Sequence, residues 1–372
     1  MLLHKCKVCL HVWQPYILYG CQTASIMRPL TPSPRSLIEI SSGIILASGH
    51  SWKQQRRFGI MTLRNLGMGK KGLEYRVQEE ASHLVQFFVN LKGIPVDPSF
   101  PLIHSISNII CALVFGYHFS DEDKTFHELI SVTENLFKFA GSFTHQLYEI
   151  FPWLMCHLPG PHKKALSCYD VLSSFARKEI RRHMERGIPD EPQDFIDFYL
   201  AEMEKVSIYG PTPKYDEDNL VCVINDLFLG GSETSSTTLY WGLLYMVVNP
   251  DIQEKVQKEL DAVLGPSQLI CYEDRRKLPY TNAVVHEIQR FSNIVFVGMP
   301  RLCVRNTTLL GFPLKKGTII MPNIASVLYD PEQWETPRQF NPGHFLDKDG
   351  NFINREAFLP FSLLAIPFKE TS

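Results

Sequence analysis

From about residue 50 onward, apolar residues recur every three or four positions along this 372-residue chain. That is the period of helices buried along one face. Segment 250–264 is the most legible. Asn249 suits an N-cap and Pro250 a first turn, Ile252, Val256, Leu260 and Val263 share one face, and Gly265 follows the last turn. The same spacing predicts helices over 76–88, 165–184 and 219–248. It extends to "YTNAVVHEIQRFSN", where Val284, Val285, Ile288 and Phe291 face inward. Strand signals are fewer: "RNTTLLGFPLKKGTIIMPN" predicts two short strands around a Gly-Phe-Pro turn. Loops rich in Pro, Gly and charge lie near 91–101, 186–193, 207–217 and 329–351, and helical pattern resumes soon after each. The expectation is one mainly α domain with a small β-sheet.

Composition narrows the function. A formal charge of -2 gives no basic face for nucleic acid. Nine cysteines, odd in number and without framework spacing, fit reduced thiols facing the cytosol. No run of eighteen apolar residues marks a membrane span. The start, "MLLHKCKVCLHVWQPYILYG", is a poor signal peptide because His11, Gln14 and Pro15 interrupt it. Its Cys6-x-x-Cys9 pair, flanked by His4 and His11, falls short of a zinc set and reads as an uncommitted leader. The stretch "YEIFPWLMCHLPGPHKK" (148–164) sets Phe151, Trp153, Leu154, Met155 and Leu158 beside basic residues. Two readings stand for it: a loop that dips into a membrane interface, or one packed on the core.

Four local features carry chemistry. In "SWKQQRR", Trp52 and Arg56 lie four apart on one helical face, an indole N–H beside a guanidinium fork. They suit a buried carboxylate or propionate, or a basic surface helix. In "DLFLGGSETSSTTLYWGLLYM", two glycines cost about 1 kcal/mol each in a helix. They let a bulky ligand approach the backbone, and Glu233, Thr234 and Ser235 follow as an acid and hydroxyls able to relay protons. One distorted helix is preferred over two helices divided at Gly230-Gly231. Glu287-x-x-Arg290 is an ion-pair spacing repeated at Glu179–Arg182, Glu273–Arg276 and Glu335–Arg338, and only its apolar helix sets it apart. Arg301, before a strand, offers a further cation, and "PRQFNPGHF" is a rigid aromatic loop whose backbone needs partners.

In this order the features resemble the cytochrome P-450 superfamily of haem-thiolate monooxygenases, vertebrate family 2, nearest its subfamily J of arachidonic-acid epoxygenases. The resemblance rests on "RPLTP", "SWKQQRRF", "LRNLGMGKK", "FPWLM", "LPGPH", "DFIDFYL", "ETSSTTL", "LPYTNAVVHEIQR", "NPGHFLD" and "REAFLPFS", covering about 27–362. It implies that Trp52, Arg56 and Arg301 hold the haem propionates and that Glu233 and Thr234 deliver protons on the oxygen-binding side. Glu287 and Arg290 become the buried pair that locks the loop behind the haem. Ile224, Leu227 and Gly230, with Ile294, Val295 and Val297, become walls of a substrate pocket. The implied fold is the P-450 helical fold with a small sheet, incomplete at both termini. A lipophilic substrate, NADPH-cytochrome P-450 reductase, cytochrome b5 and the cytosolic face of the endoplasmic reticulum complete the picture. The membrane contact is made through 148–164, and a peripheral or cytoplasmic state follows if the anchor is missing.

Departures qualify this expectation. Gly230 stands where the family commonly has Ala, and Gln339 where it has a cation, with His344 as a substitute. Residues 1–26 form an unmatched leader, 27–362 a partial domain and 363–372 a divergent tail. Beyond "PFS" the family's Gly, Arg and Cys positions hold Leu364, Ile366 and Phe368. Phe368 cannot ligate iron, so monooxygenation of fatty acids or xenobiotics is the activity of the family, and this chain as written is expected to lack it. The alternatives are an incomplete record of a working enzyme, a non-catalytic splice isoform that binds reductase, membrane or lipid, and a haem-free carrier of apolar ligands.

Overall fold

The computed structural model describes residues 43–361 apart from 46, 48, 69–70, 210–214, 265–269, 297, 299–300, 304 and 310. These residues group into two compact units. A helical unit comprises Gly43–Leu66 and Ser107–Glu233, and a mixed unit Gly67–Ile106 and Thr234 onward. The helices in chain order are α1 (Gly49–Asn65), α2 (Lys71–Asn90), α3 (Ser99–Val114), α4 (Lys124–Ala140), α5 (Phe143–Ile150), α6 (Pro152–Met155), α7 (Pro161–Arg186) and α8 (Phe195–Tyr209). They continue with α9 (Glu217–Val248), α10 (Pro250–Leu264), α11 (Pro279–Ser292) and α12 (Ile324–Leu328). The strands are β1 (Arg301–Leu302), β2 (Thr307–Leu309), β3 (Phe312–Leu314) and β4 (Ile319–Ile320).

In the helical unit, short polar side chains start the helices. The Asp123 carboxylate accepts from Phe126 N–H to open α4, and the Ser142 hydroxyl accepts from His145 N–H to open α5. The core between α4 and α7 is aromatic: Phe119 stacks on Phe126 at 4.7 Å, and Phe115 meets Phe175 edge-on at 5.3 Å. A buried polar knot ends α7. His183 Nε2 lies 3.0 Å from Asp194, whose other oxygen caps α8 through Asp197 N–H. Arg186 holds Asp197 at 2.6 Å. His183 and Asp194 bond each other and Asp197 bonds Arg186, so this cluster reads as a helix junction rather than a metal centre.

In the mixed unit, α10 and α11 share a core of Ile252, Val256, Leu260, Leu264, Val284, Val285 and Ile288. Leu278 gives α11 no side-chain cap. Glu259 of α10 supplies one from a distance, accepting from Tyr280 N–H at 2.9 Å and Thr281 N–H at 2.7 Å. Strands β1 and β4 pair antiparallel, as do β2 and β3.

Local detail departs from the periodicity in four places. Asn249 does not cap α10; its side chain donates to Tyr245 O at 2.9 Å and closes α9 instead. Val263 is 40% exposed while Leu264 fills the core, because 3.6 residues per turn carries the stripe to the later position. Segment 305–323 carries three strands rather than two, and Phe312 and Pro313 belong to β3, leaving Gly311 with φ of 86° at the turn. The loop predicted over 91–101 ends early, since α3 begins at Ser99.

Candidate active site

Helix α1 is fixed to the helical unit by one face. Gln55 is buried and exchanges hydrogen bonds with Tyr199 Oη at 3.0 and 3.2 Å. Phe58 meets Phe195, Tyr199 and Tyr215 edge-on at 5.3–5.9 Å. The adjoining stripe carries Trp52 and Arg56, with the guanidinium carbon 5.6 Å from the indole centroid. Indole Nε1 and guanidinium Nε are both buried, and neither has a partner among the described residues. Two orphaned donors one turn apart, one of them cationic, mark a position for an anionic acceptor, since a buried unpaired N–H costs about 1–3 kcal/mol.

Helix α9 runs without a break through Gly230-Gly231, as the longer of the two readings required. Among the described residues, a Cβ at Gly230 would meet Ile45 Cδ1 at 3.8 Å, an ordinary van der Waals contact. Glu233 and Thr234 follow, both half-buried. The next turn begins with Thr238, whose hydroxyl donates to Thr234 O at 2.9 Å. One turn before the glycines, Asp226 accepts from Ile44 N–H at 2.6 Å and Ile45 N–H at 2.8 Å. Loss of water raises its pKa to about 7, against the lowering effect of those two bonds. Gly43 has φ of 84°, and a Cβ there would stand 2.6 Å from the Asp226 carboxylate. The clamp on residues 43–45 was not read from the sequence; an acid in an apolar helical run was its only signal. Ile224 and Leu227 are buried at 1% and 2% exposure.

Burial separates the four Glu-x-x-Arg spacings, one in the helical unit and three in the mixed unit. Glu287 and Arg290 are both fully buried. Arg182 and Arg276 are over half exposed in their pairs. Glu335 turns instead to Arg355, and Arg338 lies 4.8 Å over the Tyr329 ring. Arg290 uses its whole donor fork: Nε and Nη2 donate to Glu287 at 2.7 and 2.8 Å, Nη1 to Leu328 O and Pro337 O, and Nη2 also to Gln339 O. Glu287 in turn accepts from Asn341 N–H at 2.9 Å, and His344 Nδ1 lies 3.2 Å away. Thr336 N–H donates to His344 Nε2, which makes Nδ1 the protonated nitrogen facing Glu287. Gln339 therefore contributes only its carbonyl, and His344 fills the third place. Thr336, Asn341 and the buried Trp334 complete the knot, unforeseen because they lie in an irregular loop.

The remaining expected residues fall as follows. Arg301 sits on β1 opposite Ile320, half-buried, with its pKa lowered by loss of water. Ile294 and Val295 follow α11 and are half-buried. Val297, Phe368 and the 1–26 leader lie outside the described residues. In 148–164, Phe151, Trp153, Leu154 and Leu158 are 43–65% exposed, whereas Met155 packs against Phe139, Tyr148 and Ala165. Among the described residues, no helix is long and apolar enough to cross a membrane.

The mostly helical fold, with its fully buried Glu-x-x-Arg knot and a long helix running through Gly230-Gly231, is matched by a known family. The chain belongs to the Cytochrome P450 family, which it matches over residues 28–363. It is 46% identical to human "Cytochrome P450 2J2" (Homo sapiens) over 336 residues, 90% of this chain and 66% of that protein. It is 45% identical to "Cytochrome P450 2J5" of Mus musculus over 338 residues, 91% and 67% of the two chains. With "Cytochrome P450 2A3" of Rattus norvegicus the identity is 43% over 321 residues, 86% and 65%. The chain thus spans about two thirds of the length of the curated relatives it matches.

The residues fit one edge of a haem. Trp52 Nε1 and Arg56 Nε, buried and unpartnered among the described residues, are donors of the kind its propionates require.

Proposed function

We propose that this chain is a haem-binding member of the P450 family that retains the cradle of the monooxygenase and, as written, lacks its thiolate-dependent turnover. The observation that carries the reading is the pair of buried, unpartnered donors at Trp52 and Arg56. A haem, when bound with a cysteine thiolate, supplies the electron-rich iron that activates dioxygen. The protein's own part is more specific. Trp52, Arg56 and Arg301 hold the propionates, and the Glu287–Arg290–His344 knot keeps the 336–345 loop rigid. Glu233 and Thr234 hold and pass protons beside Gly230. By the family resemblance, Ile224, Leu227 and Gly230, and separately Ile294, Val295 and Val297, are assigned to walls facing a lipophilic substrate, with a polyunsaturated fatty acid the class that the resemblance to subfamily J implies. The exposed aromatic and aliphatic side chains of 151–158 support contact with the cytosolic face of the endoplasmic reticulum, where a reductase drawing on NADPH, and cytochrome b5, are the matching partners. A second reading, a non-catalytic isoform that occupies membrane, reductase or lipid, is favoured by Phe368 at the thiolate position.

The test is a haem titration of the purified chain, followed by reduction and carbon monoxide. Saturable binding with an imidazole-type or water-ligated spectrum, lost in Arg56→Ala, is expected. A thiolate-type spectrum would overturn the inactive assignment, and absence of saturable binding would overturn the cradle.

A further inference from the structure

Helices α4, α5 and α7 line a cavity of about 250 Å³ that opens to solvent within the helical unit. Lys138 at the end of α4 and Lys164 at the start of α7 both line it, with Asn135, Ser142, Thr144 and Phe139. We propose that this cavity binds the phosphate of an acidic phospholipid headgroup. The proposal rests on the membrane contact assigned above to 148–164 and adds to it a specific site.

Two lysines from different helices line this one cavity, and a local excess of positive charge favours an anion. Lys164 pairs with no carboxylate among the described residues. Lys138 pairs with Glu134 at 2.6 Å, one turn back on the same helix, and their side chains are 69% and 53% exposed. An exposed pair of this kind holds too weakly to exclude a competing anion. The hydroxyls are placed to assist. Ser142 accepts from His145 N–H, so its own hydrogen remains to donate. Asn135 spends one N–H on Ser131 O and keeps a second.

The surroundings select a lipid over a free ion. Phe143 lies in sequence between the lining residues Ser142 and Thr144, and it is 71% exposed. Ile150, Phe151, Trp153 and Leu154 continue the exposed apolar surface along α5 and α6. A soluble phosphate leaves this rim facing water, whereas a headgroup brings acyl chains to cover it.

The experiment is flotation of the full chain with vesicles of pure phosphatidylcholine and of an equimolar phosphatidylcholine–phosphatidylserine mixture. Parent, Lys138→Ala, Lys164→Ala, the double variant and Lys138→Arg/Lys164→Arg are compared, with helical circular dichroism as the folding control. Tighter binding to the acidic vesicles is expected. Each alanine should weaken that binding by ~5-fold, leave the phosphatidylcholine binding unchanged, and be largely offset by arginine. Trp153→Ser should weaken binding to both vesicles. If the double variant binds acidic vesicles like the parent while Trp153→Ser still weakens both, the headgroup site is overturned and the membrane contact stands. If the parent binds neither vesicle, both fall. If inorganic phosphate binds the chain through these lysines while vesicle binding ignores them, the site serves a free anion and the lipid assignment is overturned.

Discussion

Arg290 and Arg56 present the same guanidinium fork in opposite conditions. Around Arg290 the mixed unit supplies the Glu287 carboxylate and three backbone carbonyls, and the whole fork is bonded. Arg56 in the helical unit leaves a buried Nε with no acceptor, next to an indole N–H in the same condition. Both environments are dry enough to make an unpaired donor expensive. The first is complete within the polypeptide; the second has no partner among the described residues. A polar cluster satisfied by its own chain reads as architecture, and one left open by a well-packed helix reads as a binding site.

Breaking the closed cluster should cost most. Arg290→Ala leaves the buried Glu287 carboxylate without its cation, and a loss of about 3–5 kcal/mol in urea unfolding is expected, enough to abolish soluble protein if the parent is marginal. Asp226→Asn tests a centre of intermediate kind, bonded by two N–H groups yet starved of water. Its folded pKa, about 7, is above the ordinary value of 3.8. Below about pH 4 both states are protonated and nothing is lost. As pH rises towards 7 the unfolded chain ionises first, so folding is penalised by something on the order of 3 kcal/mol. Asn keeps the acceptor oxygen, so this variant should match the parent near pH 4 and unfold at higher urea near neutrality.

Removing the third member of the closed knot is a smaller change. His344→Ala deprives Glu287 of a donor and Thr336 N–H of its acceptor, for an expected loss of about 1–3 kcal/mol by the same measurement. The open pair should behave in the opposite sense. Trp52→Phe and Arg56→Gln in the haem-free chain should leave stability within about 1 kcal/mol of the parent, or raise it, while weakening haem titration. A loss comparable to Arg290→Ala would mean that α1 needs these side chains for folding and would remove the contrast. The smallest effect belongs to Glu273→Ala, which breaks an exposed pair of the same spacing as Glu287–Arg290 and should cost under about 1 kcal/mol.

The legible parts of this protein were those set by local rules. Helical periodicity placed α7, α9, α10 and α11, because one buried stripe per helix repeats every 3.6 residues whatever it packs against. It missed where that stripe ends: Leu264 rather than Val263 entered the core. Asn249 has the chemistry of a cap, yet the free carbonyl of Tyr245 lay within reach of its side chain, and sequence spacing alone does not rank the two bonds. Four Glu-x-x-Arg spacings were equal on the page apart from the apolar helix around one of them.

By itself, then, the sequence determined the family, the helical class and the residue types available to a haem edge, since each is carried by short motifs and their order. Tertiary structure alone decided which of those residues are dry, because burial depends on elements distant in the chain. It took Gln55 bonded to Tyr199, 144 residues away, to hold α1 so that Trp52 and Arg56 end in unpartnered donors. It took Leu328, Pro337, Gln339 and Asn341 converging on one helix to turn a commonplace ion pair into a closed knot. Hydrogen-bond satisfaction is a property of what surrounds a group, and the surroundings are made only when the chain folds.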